Sequence, residues 1–294
     1  MSTALPLACA DATRQLGEPL AGTATPYGRW LLVERPGSWA LDRLMDGFPP
    51  ALLATLGALS VEHGVQPQMI RRRRGRYAPE RFTVYLASST APVPWLVRHE
   101  VGDLDALLDL DLDALTADTA PGATEPGPIY LACTHGQFDP CCARYGNPVA
   151  AAAAEVAGDR AWQSSHVGGC RFAGNLVSLP DGYVFGHLDA DTAVAAVRAR
   201  DNGELLLDHL RGRAGLPPAA QAAEVLLRRE LGLTVAAGVT TTPIAEHTAV
   251  VQHPGGGWRV TVRAEEGAAR LAACSEAVQS PATVHRLAAV EAVA

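Results

Sequence analysis

The feature that most constrains this chain is a concentration of cysteines. Four of its six cysteines lie between positions 133 and 170: Cys133, Cys141, Cys142 and Cys170. A chain of 294 residues can bury about three quarters of its unfolded surface, so it needs neither a metal nor a disulfide merely to stay folded. In a reducing compartment, clustered cysteines bind metal or carry out redox chemistry more often than they form structural disulfides. The cysteines therefore indicate a functional centre.

Composition and charge exclude several classes of protein. Hydrophobic residues make up 48% of the chain and charged residues 19%, which is typical of a globular protein and excludes general disorder, collagen and coiled coil. Acidic residues outnumber basic ones 31 to 24, which argues against nucleic-acid binding. The N-terminus has no basic region of the kind that begins a signal peptide, and the chain has no apolar run long enough for a membrane span. We therefore expect a cytoplasmic protein.

Proline and glycine divide the chain. Residues 119–128 (TAPGATEPGP) predict a linker. We therefore predict an N-terminal α/β domain at 1–125, a second domain at 126–215 that contains the four clustered cysteines (the cluster domain), and a small α+β extension at 216–294. The order of elements predicted in the cluster domain, β-α-β-β-β-α, is thioredoxin-like in outline. The N-terminal half has a similar layout, and one interpretation is that it is a degenerate copy of the same fold.

Local patterns also predict individual elements. The apolar run Ile129–Cys133 predicts a strand, and the alanine-rich segment from about Pro148 predicts a helix. Helices are also predicted at Val101–Asp118, where aspartates alternate with leucines, and at Gly203–Arg211.

The clustered cysteines belong to two motifs. The first, CTHGQFDPCC, runs from Cys133 to Cys142, and the second, HVGGC, runs from His166 to Cys170. Thiolate and imidazole are the usual ligands of zinc and of iron–sulfur centres. The two glycines between His166 and Cys170 disfavour a helix and suit a tight loop around an inorganic centre, where a Cβ atom would collide.

Three interpretations of these motifs compete. Structural zinc usually takes pairs of ligands two to four residues apart, and Cys133 and Cys142 are farther apart than that. Thioredoxin-type chemistry requires Cys-x-x-Cys at a helix N-terminus, which is absent here, although a thiol-dependent enzyme using Cys133, Cys141 or Cys142 stays open. Buried cysteines also occur as small apolar residues. Cys9 and Cys274 lie outside both motifs, and we expect them to be plain thiols.

The motifs resemble those of the sucrase/ferredoxin-like family, which are thioredoxin-like [2Fe–2S] ferredoxins with mixed cysteine and histidine ligation. The resemblance covers about residues 129–210. It rests on Cys133-Thr-His-Gly, on Asp139 with Cys142, and on His166-Val-Gly-Gly followed by Phe172-Ala-Gly-Asn175.

The resemblance implies an iron ligand at each of four positions: Cys133, Cys142, His166 and Cys170. The family usually has a second histidine at position 170, so this chain departs from the pattern there. Whether Cys170 binds, or His135 or Cys141 substitutes for it, stays open. Four neighbours are predicted to lie around the ligands: His135, Cys141, Arg171 and Asn175.

The function implied by the resemblance is electron transfer. The sequence has no dinucleotide fingerprint and no phosphate-binding loop, so we expect the electrons to come from a separate reductase. No spacing predicts a catalytic site, which favours an electron carrier over a catalyst and gives no support to sucrose cleavage. Three thiolates and one imidazole make the centre one unit more negative than two of each would, so Cys170 should lower the reduction potential.

The single predicted histidine ligand leads to a testable pH dependence. The outer nitrogen of a bound imidazole holds a proton more readily when the cluster is reduced, so the midpoint potential should fall as pH rises. Replacement His166→Cys removes that nitrogen and should flatten the slope, which potentiometry at several pH values measures. An unchanged slope in this variant would remove His166 from the ligand set, and His63→Cys is a control outside both motifs.

Overall fold

The computed structural model of the chain describes residues 8–39, 45–73 and 79–293. It contains these helices: α1 Cys9–Leu16, α2 Pro50–His63, α3 Pro140–Ala157, α4 Ala190–Asp201 and α5 Pro218–Leu231. Its strands are β1 Arg29–Glu34, β2 Val65–Arg71, β3 Phe82–Ser88, β4 Trp95–Val101, β5 Ile129–Cys133, β6 Ala161–Ser164, β7 Leu176–Leu179, β8 Tyr183–Phe185, β9 Leu210–Arg213, β10 Thr240–Ala245, β11 Thr248–His253, β12 Gly256–Arg270 and β13 Ser280–Val293. No helix among these residues is both long enough and apolar enough to cross a membrane.

The strands form two sheets. The larger has nine strands in the order β4-β3-β1-β2-β6-β5-β7-β8-β9, and the smaller is an antiparallel sheet in the order β10-β11-β12-β13. Helix α5 packs against β9 of the large sheet and against all four strands of the small one. The prediction of an α/β fold is confirmed.

The two halves of the large sheet have the same topology. In each half, two parallel strands are joined through a helix, β1-α2-β2 and β5-α3-β6, and a pair of antiparallel strands follows. The resulting strand orders, β2-β1-β3-β4 and β6-β5-β7-β8, correspond strand for strand. The halves meet where β2 pairs with β6, at Ile70 with Ser164 and Arg71 with Gln163. The sheet is therefore continuous across the two predicted α/β units.

Two predicted helices are wrong. The segment Val101–Asp118 forms short 3-10 helices at Asp105–Asp109 and Asp113–Thr116. Its aspartates compete with a longer helix because they accept local backbone N–H groups, as Asp103 does from Ala106 at 3.0 Å. The segment predicted as a helix at Gly203–Arg211 instead enters strand β9, because pairing with β8 overrides local propensity.

Helix α3 begins eight residues earlier than the sequence analysis predicts, at Pro140 rather than Pro148. Asp139 is its N-cap and accepts a hydrogen bond from the backbone N–H of Cys141 at 2.8 Å. Aspartate at the N-cap followed by proline at the first helical position is a recognised start signal, so this boundary was readable in the sequence. The earlier start places both Cys141 and Cys142 in the first turn of the helix.

A buried ion-pair network joins α5 to the large sheet. Glu224 of α5 pairs with Arg213 of β9 at 2.6 Å and with Arg228 at 3.0 Å, and it accepts a hydrogen bond from Thr241 of β10 at 2.7 Å. Burial alone would raise the pKa of Glu224, but the two arginines outweigh it and lower the pKa to about 2. The carboxylate is thus held in its charged form between the two sheets.

Replacement Glu224→Gln should destabilise the fold by roughly 3–5 kcal/mol, because it leaves two buried arginines without their carboxylate. Because the pKa of Glu224 is lower in the folded protein than in the unfolded chain, its ionised form stabilises the fold. This stabilisation is complete above pH 4.3, about the pKa of an unfolded glutamate, and is lost as pH falls toward 2. Urea unfolding at neutral pH measures the loss, and a series toward acid measures its pH dependence. Glu230→Gln, at an exposed position of the same helix, should change little; an equal effect of both variants would contradict the assignment.

Candidate metal centre

Strand β5 and helix α3 bring the first two cysteines together. Cys133 is the last residue of β5, and Cys142 lies in the first turn of α3. The helix approaches the strand closely at Gly146, where a Cβ atom would overlap the carbonyl oxygen of Cys133. The absence of a side chain at Gly146 therefore lets α3 lie against the end of β5.

The second motif reaches the same place from the neighbouring strand. Strands β5 and β6 are parallel, with Cys133 opposite Ser164, so the loop that follows β6 leaves from the same edge of the sheet. Gly168 and Gly169 in this loop have φ of +88° and +72°, a conformation that favours glycine. A Cβ atom would meet no protein atom at Gly168 and would meet the Arg211 guanidinium at Gly169.

The side chains of both motifs converge. The ligand atoms of Cys133, Cys142 and His166 lie within 4.8 Å of one another. Nδ1 of His166 is 4.0 Å from Sγ of Cys142 and 3.6 Å from Sγ of Cys170. A sulfur and a nitrogen bound to one tetrahedral ion lie about 3.6 Å apart when the bonds are near 2.3 and 2.05 Å. We call Cys133, Cys142, His166 and Cys170 the Cys/His centre. The ligand atoms of its first three residues are close enough together to hold a metal.

The cysteines of the centre are buried, whereas His166 is half-buried and stacks on Phe138 with 3.7 Å between the ring centroids. The hydrogen bond from the Cys142 thiol lowers the pKa of Cys133 well below its usual value and that of Cys170 to about 7. Burial alone would lower the pKa of His166, but hydrogen bonds to Cys133 and Cys170 outweigh it and raise the pKa to about 9. The pocket thus favours the thiolate, the form that binds metal, at Cys133 and Cys170, whereas hydrogen bonds to these two residues raise the pKa of Cys142.

Comparison with known proteins identifies the family. A sequence model of the sucrase/ferredoxin-like family matches residues 20–212, more than half of the chain. The chain belongs to the sucrase/ferredoxin-like family. No curated protein and no solved structure matches it. The resemblance predicted from the motifs is confirmed, and the match extends beyond residues 129–210 to include the N-terminal half of the large sheet.

A buried arginine holds the loop of the second motif through hydrogen bonds. Arg211 of β9 is 1% exposed and donates hydrogen bonds to Oδ1 of Asn175 at 2.8 Å and to the carbonyl of Gly168 at 3.2 Å. Asn175 in turn donates to the carbonyl of Gly169 at 2.9 Å. Burial lowers the pKa of Arg211 to about 9, and the thiolates of Cys170 and Cys133 act in the opposite direction. Sequence reasoning missed Arg211 because it placed this residue in a helix.

The other predicted neighbours have separate environments. Arg171 pairs with Glu18 at 3.0 Å, and Glu18 also pairs with Arg270 at 2.9 Å, so the two arginines share one carboxylate. Asn175 contacts the loop backbone and Arg211. His135 is 2% exposed, lies against Trp39 and Phe138, and neither of its ring nitrogens has a hydrogen-bond partner within the described residues.

Cys141 points away from the Cys/His centre into a second group. Its sulfur lies 3.6 Å from that of Cys9 and 3.5 Å from that of Cys274, and Asp139 completes the group. Cys9 and Cys274, which lie outside both motifs, are free thiols that contact each other and Cys141. No local signal reveals this group, because Cys9 and Cys274 are 265 positions apart. We call these four residues the three-cysteine cluster.

Proposed function

We propose that this protein carries one [2Fe–2S] cluster and transfers electrons. The proposed ligands are Cys133, Cys142, His166 and Cys170. The observation that carries the proposal is the convergence of three buried thiols and one imidazole from two separate segments of a sucrase/ferredoxin-like chain.

The donor set fits the proposed cofactor. A [2Fe–2S] cluster takes two protein ligands on each iron. Cys133 and Cys142 supply one pair from β5 and α3, and His166 and Cys170 supply the other from the loop after β6. The 3.6 Å between His166 Nδ1 and Cys170 Sγ suits two ligands of one ion. When bound, such a cluster accepts and releases one electron.

His166 is the most exposed side chain of the centre. Cys133, Cys142 and Cys170 are at most 2% exposed, so protein surrounds the sulfurs and excludes water. His166 lines a surface cavity of about 280 Å³ together with Arg171 and residues 23–27. We propose that electrons pass between the centre and a redox partner protein, such as a reductase, at this cavity.

A zinc-stabilised binding module is the second candidate. It is supported by the mutual spacing of Cys133, Cys142 and His166, because ligand atoms within 4.8 Å of one another suit a single tetrahedral ion as well. A thiol-dependent enzyme has less support. A reactive cysteine is partly exposed, whereas the sulfurs of this centre are buried.

Anaerobic purification of the full chain tests the proposal. We expect a red-brown protein that contains iron and acid-labile sulfide in equal amounts and shows an electron paramagnetic resonance signal after reduction. Replacement Cys142→Ser should abolish the colour, because it removes a ligand, whereas Cys9→Ser alters a cysteine outside the centre and should retain iron and sulfide. A colourless wild-type protein with zinc at the Cys/His centre would support the second candidate, and one without metal would refute both.

Arg211 provides a separate prediction about the reduction potential. Its buried positive charge should favour the more negative, reduced state, so Arg211→Gln should lower the midpoint potential by something on the order of tens of millivolts. Protein-film voltammetry measures the shift. Arg198→Gln is the control, because this arginine of α4 is exposed and water screens its charge, and it should shift the potential much less. Equal shifts in the two variants would contradict the role of Arg211.

A further inference from the structure

The three-cysteine cluster has the dimensions of a metal site. Its sulfur–sulfur distances are 3.6 Å for Cys9 and Cys141, 3.5 Å for Cys141 and Cys274, and 3.4 Å for Cys274 and Cys9. Three thiolates on one tetrahedral zinc ion lie about 3.8 Å apart when each bond is near 2.3 Å. The carboxylate oxygens of Asp139 lie 3.7 and 3.9 Å from the Cys9 sulfur. The four ligand atoms all fall within 4.8 Å of one another.

We propose that the three-cysteine cluster binds one structural zinc ion, separate from the Cys/His centre. The ligands are the sulfurs of Cys9, Cys141 and Cys274 and a carboxylate oxygen of Asp139. Three thiolates with one carboxylate form a tetrahedral donor set that suits zinc, which has no redox chemistry of its own. The three thiol protons are released to solvent as the ion binds.

A metal accounts for this arrangement better than a disulfide does. All six cysteines are free, and the three sulfurs form a nearly equilateral triangle in which no pair is singled out. A disulfide would use two of the thiols and leave the third beside the fully buried carboxylate of Asp139. One zinc ion engages all three thiols and the carboxylate together.

The surroundings favour the negative charge of the bound ligands. Helices α1 and α3 both begin at the cluster, and the positive ends of their dipoles stabilise thiolates. The backbone N–H of Cys9 points to Sγ of Cys274 at 3.4 Å, and that of Cys274 donates to Asp139 at 2.7 Å. The ion-paired group of Arg171, Glu18 and Arg270 carries one net positive charge, and Arg171 interacts electrostatically with Cys9.

The ion would connect parts of the chain that the family match does not cover. Cys9 and Cys274 lie outside residues 20–212, whereas Cys141 lies inside. Zinc would therefore fasten the N-terminal helix α1 and the connection between β12 and β13 to the start of α3. Because Cys142 is the next residue in the same helix, the ion would also hold the helix turn that carries a proposed iron ligand.

Metal analysis of the full-length protein, expressed with zinc supplied and purified anaerobically, tests the proposal. We expect Cys274→Ser and Cys9→Ser each to lose one zinc ion per chain relative to wild type while iron and sulfide stay unchanged. Ser275→Ala is the matched control beside Cys274 and should keep the zinc. If the Cys/His centre itself held zinc, wild type would contain two ions and Cys274→Ser would still lose one, so failure of the two proposals is distinguishable.

Zinc-edge X-ray absorption of wild type gives a readout that does not depend on how a variant folds. We expect three sulfur ligands and one light-atom ligand per ion if iron occupies the Cys/His centre. Retention of all zinc in both serine variants would overturn the proposal. A wild-type protein without zinc would overturn it as well. If the denatured chain were then lighter by the mass of two hydrogen atoms, a disulfide would have formed within the cluster instead.

Discussion

The close packing of α3 against the end of β5 is the constraint on which both cysteine groups depend. Gly146 permits this approach, and Asp139 fixes where the helix begins. Successive residues of a helix point about 100° apart, so adjacent Cys141 and Cys142 face different groups. Cys142 reaches the Cys/His centre, and Cys141 reaches Cys9 and Cys274. One helix turn therefore organises two potential metal sites.

Each site has its own source of positive charge. Arg211 is buried beside the loop of the second motif and interacts with the thiolates of Cys133 and Cys170. Beside the three-cysteine cluster, the positive contribution comes from Arg171 and Arg270, which share the carboxylate of Glu18. Buried thiolates require such compensation, because removal from water disfavours a charge that has no partner. The two sites also influence each other, because Asp139 acts on Cys170 and Arg171 acts on Arg211.

Much of the fold near the candidate site could be predicted from local sequence. The apolar run that ends at Cys133 is a strand, as predicted, and Asp139-Pro140 carried a helix start that the sequence analysis did not use. The wrong predictions are at two places where other interactions override local helix propensity. Strand β9 forms because it pairs with β8, and the segment Val101–Asp118 forms short 3-10 helices because its aspartates bind nearby backbone N–H groups. Arg211 was not predicted as a site residue because its strand, β9, was predicted as a helix.

The sequence by itself determined the two motifs and the cysteine and histidine side chains that they carry, because each motif is a short continuous segment. Only the tertiary structure decided which side each cysteine faces, that Arg211 is the buried cation beside the centre, and that Cys9 and Cys274 meet. The physical reason is the separation of the residues along the chain. Short spacing limits where neighbouring side chains can go, whereas residues 265 positions apart meet only after the helices and both sheets have packed.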